Sequence, residues 1–288
     1  MKRVMIVTLA LLLLAALYPT TTVHAEEALT SGDFEYHVLE DGTAEITWYK
    51  GSAESLEIPG KLNGLAVTSI GDRAFSERKN LKSITIPDSV TSIGDWAFYG
   101  CSSLKEITIP ESVTCIGEMA FYGCENLTNI SIPDSVTNLG YNPFAYCKNL
   151  NRVTVHPDHP AFATIDGVLF NKADKRLIWY PMPREDTVYE IPQGIQSIGD
   201  GAFSWCENLT SISIPDSVTS IGDWAFSGCE NLTSISIPDS VTSIGKMAFY
   251  WCSSLKKVIV APDSYAQKYC KERGLPFVYQ ENANQMND

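Results

Sequence analysis

The sequence is short of the residues from which active sites are built. Histidine occurs four times in 288 residues. Once a leader is set aside, only His37, His156 and His159 remain for a Ser-His-Asp arrangement. No G-x-S-x-G elbow and no phosphate-binding glycine loop occurs. Basic charge is also scarce, 21 Lys and Arg against 34 Asp and Glu, for a net charge of −13. That balance argues against nucleic acid and anionic membranes as partners. Past the N-terminus no run is apolar enough to cross a bilayer, so no membrane insertion is expected.

The N-terminus reads as a signal peptide over residues 1–25. Lys2 and Arg3 precede an apolar run from Val4 to Leu17, and Val23-His24-Ala25 offers a cleavage site. Removing it takes the net charge from −13 to −15. No lipid-accepting Cys lies near the cut, and no sorting motif follows. The expected location is secreted or extracellular, at most loosely associated with the cell surface.

What the chain has in abundance is one repeat. Ile86-Pro87, Ile109-Pro110 and Ile132-Pro133 are 23 residues apart, and the spacing resumes at Ile191-Pro192, Ile214-Pro215 and Ile237-Pro238. A fixed period in the twenties means a solenoid, because one unit cannot bury its own apolar face and stacked units can. Ser83 to Ile86 alternates and predicts a strand that Pro87 ends, Val90 to Ile93 predicts a second strand, and Asp95 is placed to cap a helical turn carrying Ala97, Phe98 and Cys101. Cys101, Cys124 and Cys147, then Cys206, Cys229 and Cys252, recur at one core position, which favours free buried thiols over disulfides. The off-register Cys115 and Cys270 are expected to be exposed or terminal.

The ends and one interruption break the period. Phe34 to Val38 and Glu45 to Tyr49, joined across Asp41-Gly42, predict a hairpin cap. The interval from Ile58 to Ile86 is 28 residues, with Gly60 to Gly64 as the extra loop. Ile191 follows Val155 by 36 residues, and in that interval Val168 to Phe170 and Leu177 to Tyr180 predict a hairpin standing off the solenoid. Ser264 can cap a closing helix that ends at Gly274. The expected organisation is a signal peptide (1–25), an N-terminal cap (26–60), a solenoid (61–260) with an insert at about 156–190, a C-terminal cap (261–280) and a polar tail (281–288).

The repeat I-P-x-S-V-T-x-I-G-x-x-A-F-x-x-C-x-x-L resembles the BspA-type leucine-rich repeats of bacterial surface and secreted proteins. So do the opening GDFEYHVLEDGTAEITWYKG, the insert DGVLFNKADKRLIWYP and the closing SYAQKYCKERGLPF. The resemblance implies a β-rich leucine-rich-repeat solenoid of the α/β horseshoe class. It also implies adhesion to host matrix, plasma or cell-surface proteins, with no catalytic motif and no cofactor.

Residues copied every 23 positions mark scaffold, so function is expected where the repeat fails. Arg152, His159, Trp179, Tyr180 and Arg184, on and beside the insert, are the expected contacts for an extracellular protein partner, with the chain a monomer. A glycan-binding module is the alternative, its aromatics at Trp205 and Trp251 stacking on sugars. A hydrolase using His156 or His159 is a remote one. His156 and His159 with Asp158 and Asp166 could ligate a metal, but the flanking prolines favour a solvated turn. The recurrent Asp88, Glu111, Asp134, Asp216 and Asp239 are expected to point into water.

Overall fold

The computed structural model describes residues 28–280, so the expected leader and polar tail lie outside the described residues. Each 23-residue unit contributes two short strands, and residues one repeat apart pair in parallel, as Ser92 with Cys115 and Ser211 with Ser234. The first ladder runs through Ser55–Glu57, Ser83–Thr85 and Glu106–Thr108. It continues as Asn129–Ile132 on Arg152–Val155, and then from Val188–Glu190 to Phe277–Tyr279. Because Ser55–Glu57 already pairs there, the ladder begins before residue 61. The second ladder comprises Leu65–Ile70, Ser92–Ile93, Cys115–Ile116 and Asn138–Leu139, and past the insert Ser197–Ile198, Ser220–Ile221 and Ser243–Ile244.

Repetition turns each side chain toward its own copy. Phe75, Phe98 and Phe121 stack with centroids 5.3 Å apart and near-parallel planes. Ser89, Ser112, Ser135 and Ser240 donate across to the carbonyls of Val67, Val90, Val113 and Val218 at 2.6–2.8 Å. Each copied serine thus satisfies a backbone acceptor of the neighbouring rung.

The expected helical turn is absent. Trp96 and Gly100 hold positive φ (58° and 66°), which no α-helix tolerates. The N–H groups of Trp96, Phe98 and Gly100 donate instead to Glu118, Ala120 and Tyr122 of the next rung. Asp95 acts between rungs too, its Oδ1 accepting the Glu118 N–H at 2.7 Å.

Leu29–Ser31, Phe34–Val38 and Ala44–Tyr49 form an antiparallel N-terminal cap whose last strand pairs with Leu65–Ile70. Lys61–Leu62 folds back on Leu65–Ile70 across Asn63 and Gly64, both at positive φ as a tight two-residue hairpin turn demands. The helix Tyr265–Arg273 closes the other end. Ser264 accepts the Gln267 N–H, Gly274 sits at φ 66°, and Phe277–Tyr279 adds a final strand.

The insert does not stand off. Phe162–Ile165, Val168–Asn171 and Arg176–Trp179 form an antiparallel meander, and its last strand pairs in parallel with Ser197–Ile198, taking a place in the second ladder. Phe162, Leu169, Ile178 and Trp179 complete the apolar cluster of the preceding rungs. Val168, Phe170, Leu177 and Tyr180 complete that of the following ones. The insert is an internal partition that caps two cores, one on each face.

Candidate binding cleft

Three of the five residues expected to contact a partner are removed from solvent. Trp179 and Tyr180 are 2% exposed and His159 is 0% exposed. Trp179 packs edge-on against Phe144 at 5.9 Å, and Tyr180 lies 5.1 Å from Phe203. Both ring nitrogens of His159 are engaged: Nε2 faces the Pro133 carbonyl at 2.9 Å, and Nδ1 accepts from Ala161 and Phe162. Nε2 facing a carbonyl must carry the proton, so this is a neutral imidazole pinning the insert to the rung, with no lone pair left for a metal. Arg184 is half-buried over the Tyr180 ring, bonded to Asp186 and to the Asp166 carbonyl. Arg152 alone is exposed. The insert is core, and the five residues form no common surface.

The repeated cysteines are core as well. The thiols of Cys101, Cys124, Cys147, Cys229 and Cys252 lie 3.1–3.3 Å from the carbonyls of Phe75, Phe98, Phe121, Phe203 and Phe226. All eight cysteines are free. Burial pushes Cys101 and Cys147 up to about 12. Cys115 is half-buried, whereas Cys270, although terminal as expected, is buried on the inner face of the closing helix.

The insert shapes the molecule unevenly. It places three extra strands between Asn138–Leu139 and Ser197–Ile198. On the turn side no rung intervenes, since Tyr146 meets Trp205 with centroids 4.9 Å apart, as close as Tyr122 and Tyr146 in adjacent repeats (5.6 Å). A wedge of three strands on one side and none on the other bends the solenoid axis toward the turns.

The bend gathers aromatic residues from both halves around an open cleft of about 450 Å³. Trp96, Tyr99, Met119, Tyr122, Tyr141 and Asn142 come from the rungs before the insert. Ser204, Trp205, Trp224, Tyr250 and Trp251 come from those after it. Several walls are open to solvent: Trp251 is 57% exposed, Trp224 42% and Tyr250 40%.

Backbone strain runs through every turn, some of the cleft walls included. Two positions in each turn carry positive φ. In the second of them Gly100, Gly123 and Gly228 do so without penalty, yet Glu77, Tyr146, Trp205 and Trp251 occupy it elsewhere (φ 59°, 62°, 62° and 57°). Arg73, Trp96, Met119, Asn142, Trp224 and Met247 occupy the first, where Gly201 also sits. Gly228 is needed beside Trp205, whose ring lies 2.6 Å from where a Cβ would stand.

The cleft lining is uncharged, and the charges nearest it at Tyr141 are acidic. None of its lining residues is basic. Burial pushes the Tyr141 phenol up to about 12, and Glu118 beside it, through a hydrogen-bonding contact and its charge, acts in the same direction, as do Asp200 and Asp223. Asn142 is 6% exposed and lines the floor with its Oδ1 unpartnered among the described residues.

Of these residues the sequence singles out Trp205 and Trp251, for the glycan alternative. It does not show that two halves converge on them. The available signal was the aromatic residue where other repeats have glycine.

Comparisons with known proteins agree on the fold. Six copies of the BspA type leucine rich repeat region match over residues 47–175 and 187–270. A leucine-rich repeat protein from Eubacterium ventriosum is 26% identical, covering 82% of this chain and 72% of that chain, with a TM-score of 0.63. The pneumococcal vaccine antigen PcpA is 22% identical, covering 81% of each chain, with a TM-score of 0.55, a likeness of fold alone. No curated protein matches the sequence. On the repeat match, which spans most of the chain and both sides of the insert, this protein belongs to the BspA-type leucine-rich repeat family.

Proposed function

We propose that the chain is an exported, non-catalytic recognition module that binds an extracellular or cell-surface protein through the aromatic cleft at its bend. The observation carrying this reading is the convergence of solvent-open aromatic side chains from both halves of the chain on one cleft. A left-handed backbone costs a bulky residue about 1–2 kcal/mol, and two of the walls, Trp205 and Trp251, carry it where glycine serves in sister repeats, as Glu77 and Tyr146 do outside the cleft. Solvent-open tryptophan and tyrosine around a concave site are the side chains that dominate recognition surfaces. The repeat family is a scaffold suited to such interaction.

Catalysis lacks a constellation to support it. His159 is locked in backbone contacts, and exposed His156 lies 3.9 Å from Asp134, a weak surface pair. A glycan is the second reading, supported by the exposed faces of Trp224 and Trp251, on which sugar rings can stack.

The test is a binding screen of the mature chain, residues 26–288, against immobilised matrix and cell-surface proteins and a glycan array, at moderate salt. A saturable protein hit lost in Trp251→Gly supports the proposal. Glycan hits lost in the same variant replace it with the second reading. Hits indifferent to Trp205 and Trp251 remove the cleft from consideration.

A further inference from the structure

The residue after each rung glycine forms a row of Asp72, Asp95, Glu118, Tyr141, Asp200, Asp223 and Lys246, and its neighbours on the C-terminal side include the cleft residues Trp96, Met119, Asn142 and Trp224. Part of this row is scaffold. Asp95, Asp200 and Asp223 each spend one carboxylate oxygen on the N–H of the next rung, at 2.6–2.7 Å. A neutral side chain could accept the same bond, so the bonds do not account for the charge, and the negative stretch from Glu118 to Asp223 flanks the cleft.

The chain's own cations show what this surface accepts. The Arg73 guanidinium lies 5.8 Å from the Trp96 ring centroid at one end of the aromatic row. The Lys148 ammonium lies 5.1 Å from that of Tyr146 while paired with Glu125 at 3.3 Å. Past Tyr146 the faces of Trp205, Trp224 and Trp251 carry no such cation among the described residues. At the floor, the unpartnered and buried Asn142 Oδ1 is an acceptor without a donor.

We infer that the cleft receives an arginine side chain from the partner polypeptide, its guanidinium stacked on the Trp205 and Trp251 walls and donating to Asn142 and the flanking carboxylates. A guanidinium matches each feature: a planar cation for aromatic faces, and a rigid fork of donors for an amide oxygen and carboxylates. A neutral apolar side chain leaves Asn142 unpaired, and an acidic one meets Glu118, Asp200 and Asp223. The inference rests on the recognition reading above and names the chemistry of its occupant.

Four of the six tryptophans line the cleft, so intrinsic fluorescence reports its occupancy. The mature chain is titrated at moderate salt with capped Gly-Arg-Gly, with its citrulline counterpart, which keeps the shape and loses the charge, and with neutral oligosaccharides. The expected result is saturable quenching by the arginine peptide, weaker by about tenfold or more for citrulline and by about fivefold in Trp205→Ala and in Glu118→Gln. Equal binding of citrulline, quenching by oligosaccharides alone, no quenching by the arginine peptide, or arginine binding unchanged in Trp205→Ala overturns it. Circular dichroism of each variant establishes that the fold is kept, and Trp251→Gly, which relaxes the backbone, supplies a second wall deletion. If a protein partner binds in a Trp251-dependent way but is not displaced by the arginine peptide, the recognition reading stands and the arginine occupant is wrong. If no partner depends on Trp251, that reading fails on its own terms.

Discussion

Trp251 holds φ 57° with more than half its surface in water, so its backbone loses by being tryptophan and its ring gains little by burial. Glycine at the equivalent Gly100, Gly123 and Gly228 shows the conformation is free when the side chain is absent. Trp251→Gly is therefore expected to leave stability within about 1 kcal/mol of the parent, relief of strain offsetting lost packing against Trp205 and Tyr250. Urea unfolding checks this. A loss of several kcal/mol would mean the ring is structural. His159 is the opposite case, fully buried with three backbone partners. His159→Ala leaves the Pro133 carbonyl and two N–H groups unpaired, and a loss of about 2–4 kcal/mol is expected in the same measurement. That residue had looked like a binding group because a histidine between two prolines interrupts the repeat. Its partner, a carbonyl 26 positions earlier, has no trace in local sequence.

The cysteine ladder shows how an element, not a residue, sets a pH response. Burial raises Cys101, Cys147 and Cys252 to about 12 against an ordinary value of 9.0. Below pH 9 the thiols are protonated folded and unfolded, and their effect on stability is flat. Between pH 9 and 12 the unfolded chain releases protons that the folded chain retains, so stability falls by up to about 1.4 kcal/mol per pH unit for each such thiol. Urea midpoints followed from pH 8 to 10.5 should drop, and Cys124→Ala should flatten the slope; an unchanged slope would show that the ladder is not its source. Strands, ladder and end caps were legible because a repeat states its core positions many times over. The insert was not, although Val168-Leu169-Phe170 and Leu177-Ile178-Trp179-Tyr180 carry a signal. Unbroken apolar runs are what a strand buried on both faces requires, whereas a hairpin standing in water would alternate. The turn was misread as helical for a different reason: positive φ at a tryptophan or a methionine has no signature in residue type.

At the scale of the whole molecule the chain is two stacks of rungs joined by one partition. In a solenoid each rung is stabilised by its neighbours alone, so coupling between the halves passes through whatever lies at the joint. Here that is the meander, with Trp179 on the face toward Phe144 and Tyr180 on the face toward Phe203. Trp179→Ala opens a cavity at the joint and is expected to destabilise by about 3–5 kcal/mol. The loss should not spread evenly. Hydrogen exchange should accelerate from Asn138 through Ile198, while Ile84 and Ile235, each flanked by intact rungs, keep most of their protection. The cleft makes the argument reach function. Its walls come from both stacks, and Trp179 is not one of them. A loosened joint relaxes the wedge that brings Tyr146 to Trp205, so any ligand of the cleft should bind Trp179→Ala at least several-fold more weakly under conditions where circular dichroism shows the rungs intact. Uniform exchange, together with unweakened binding, would mean that the two stacks hold their angle without the partition.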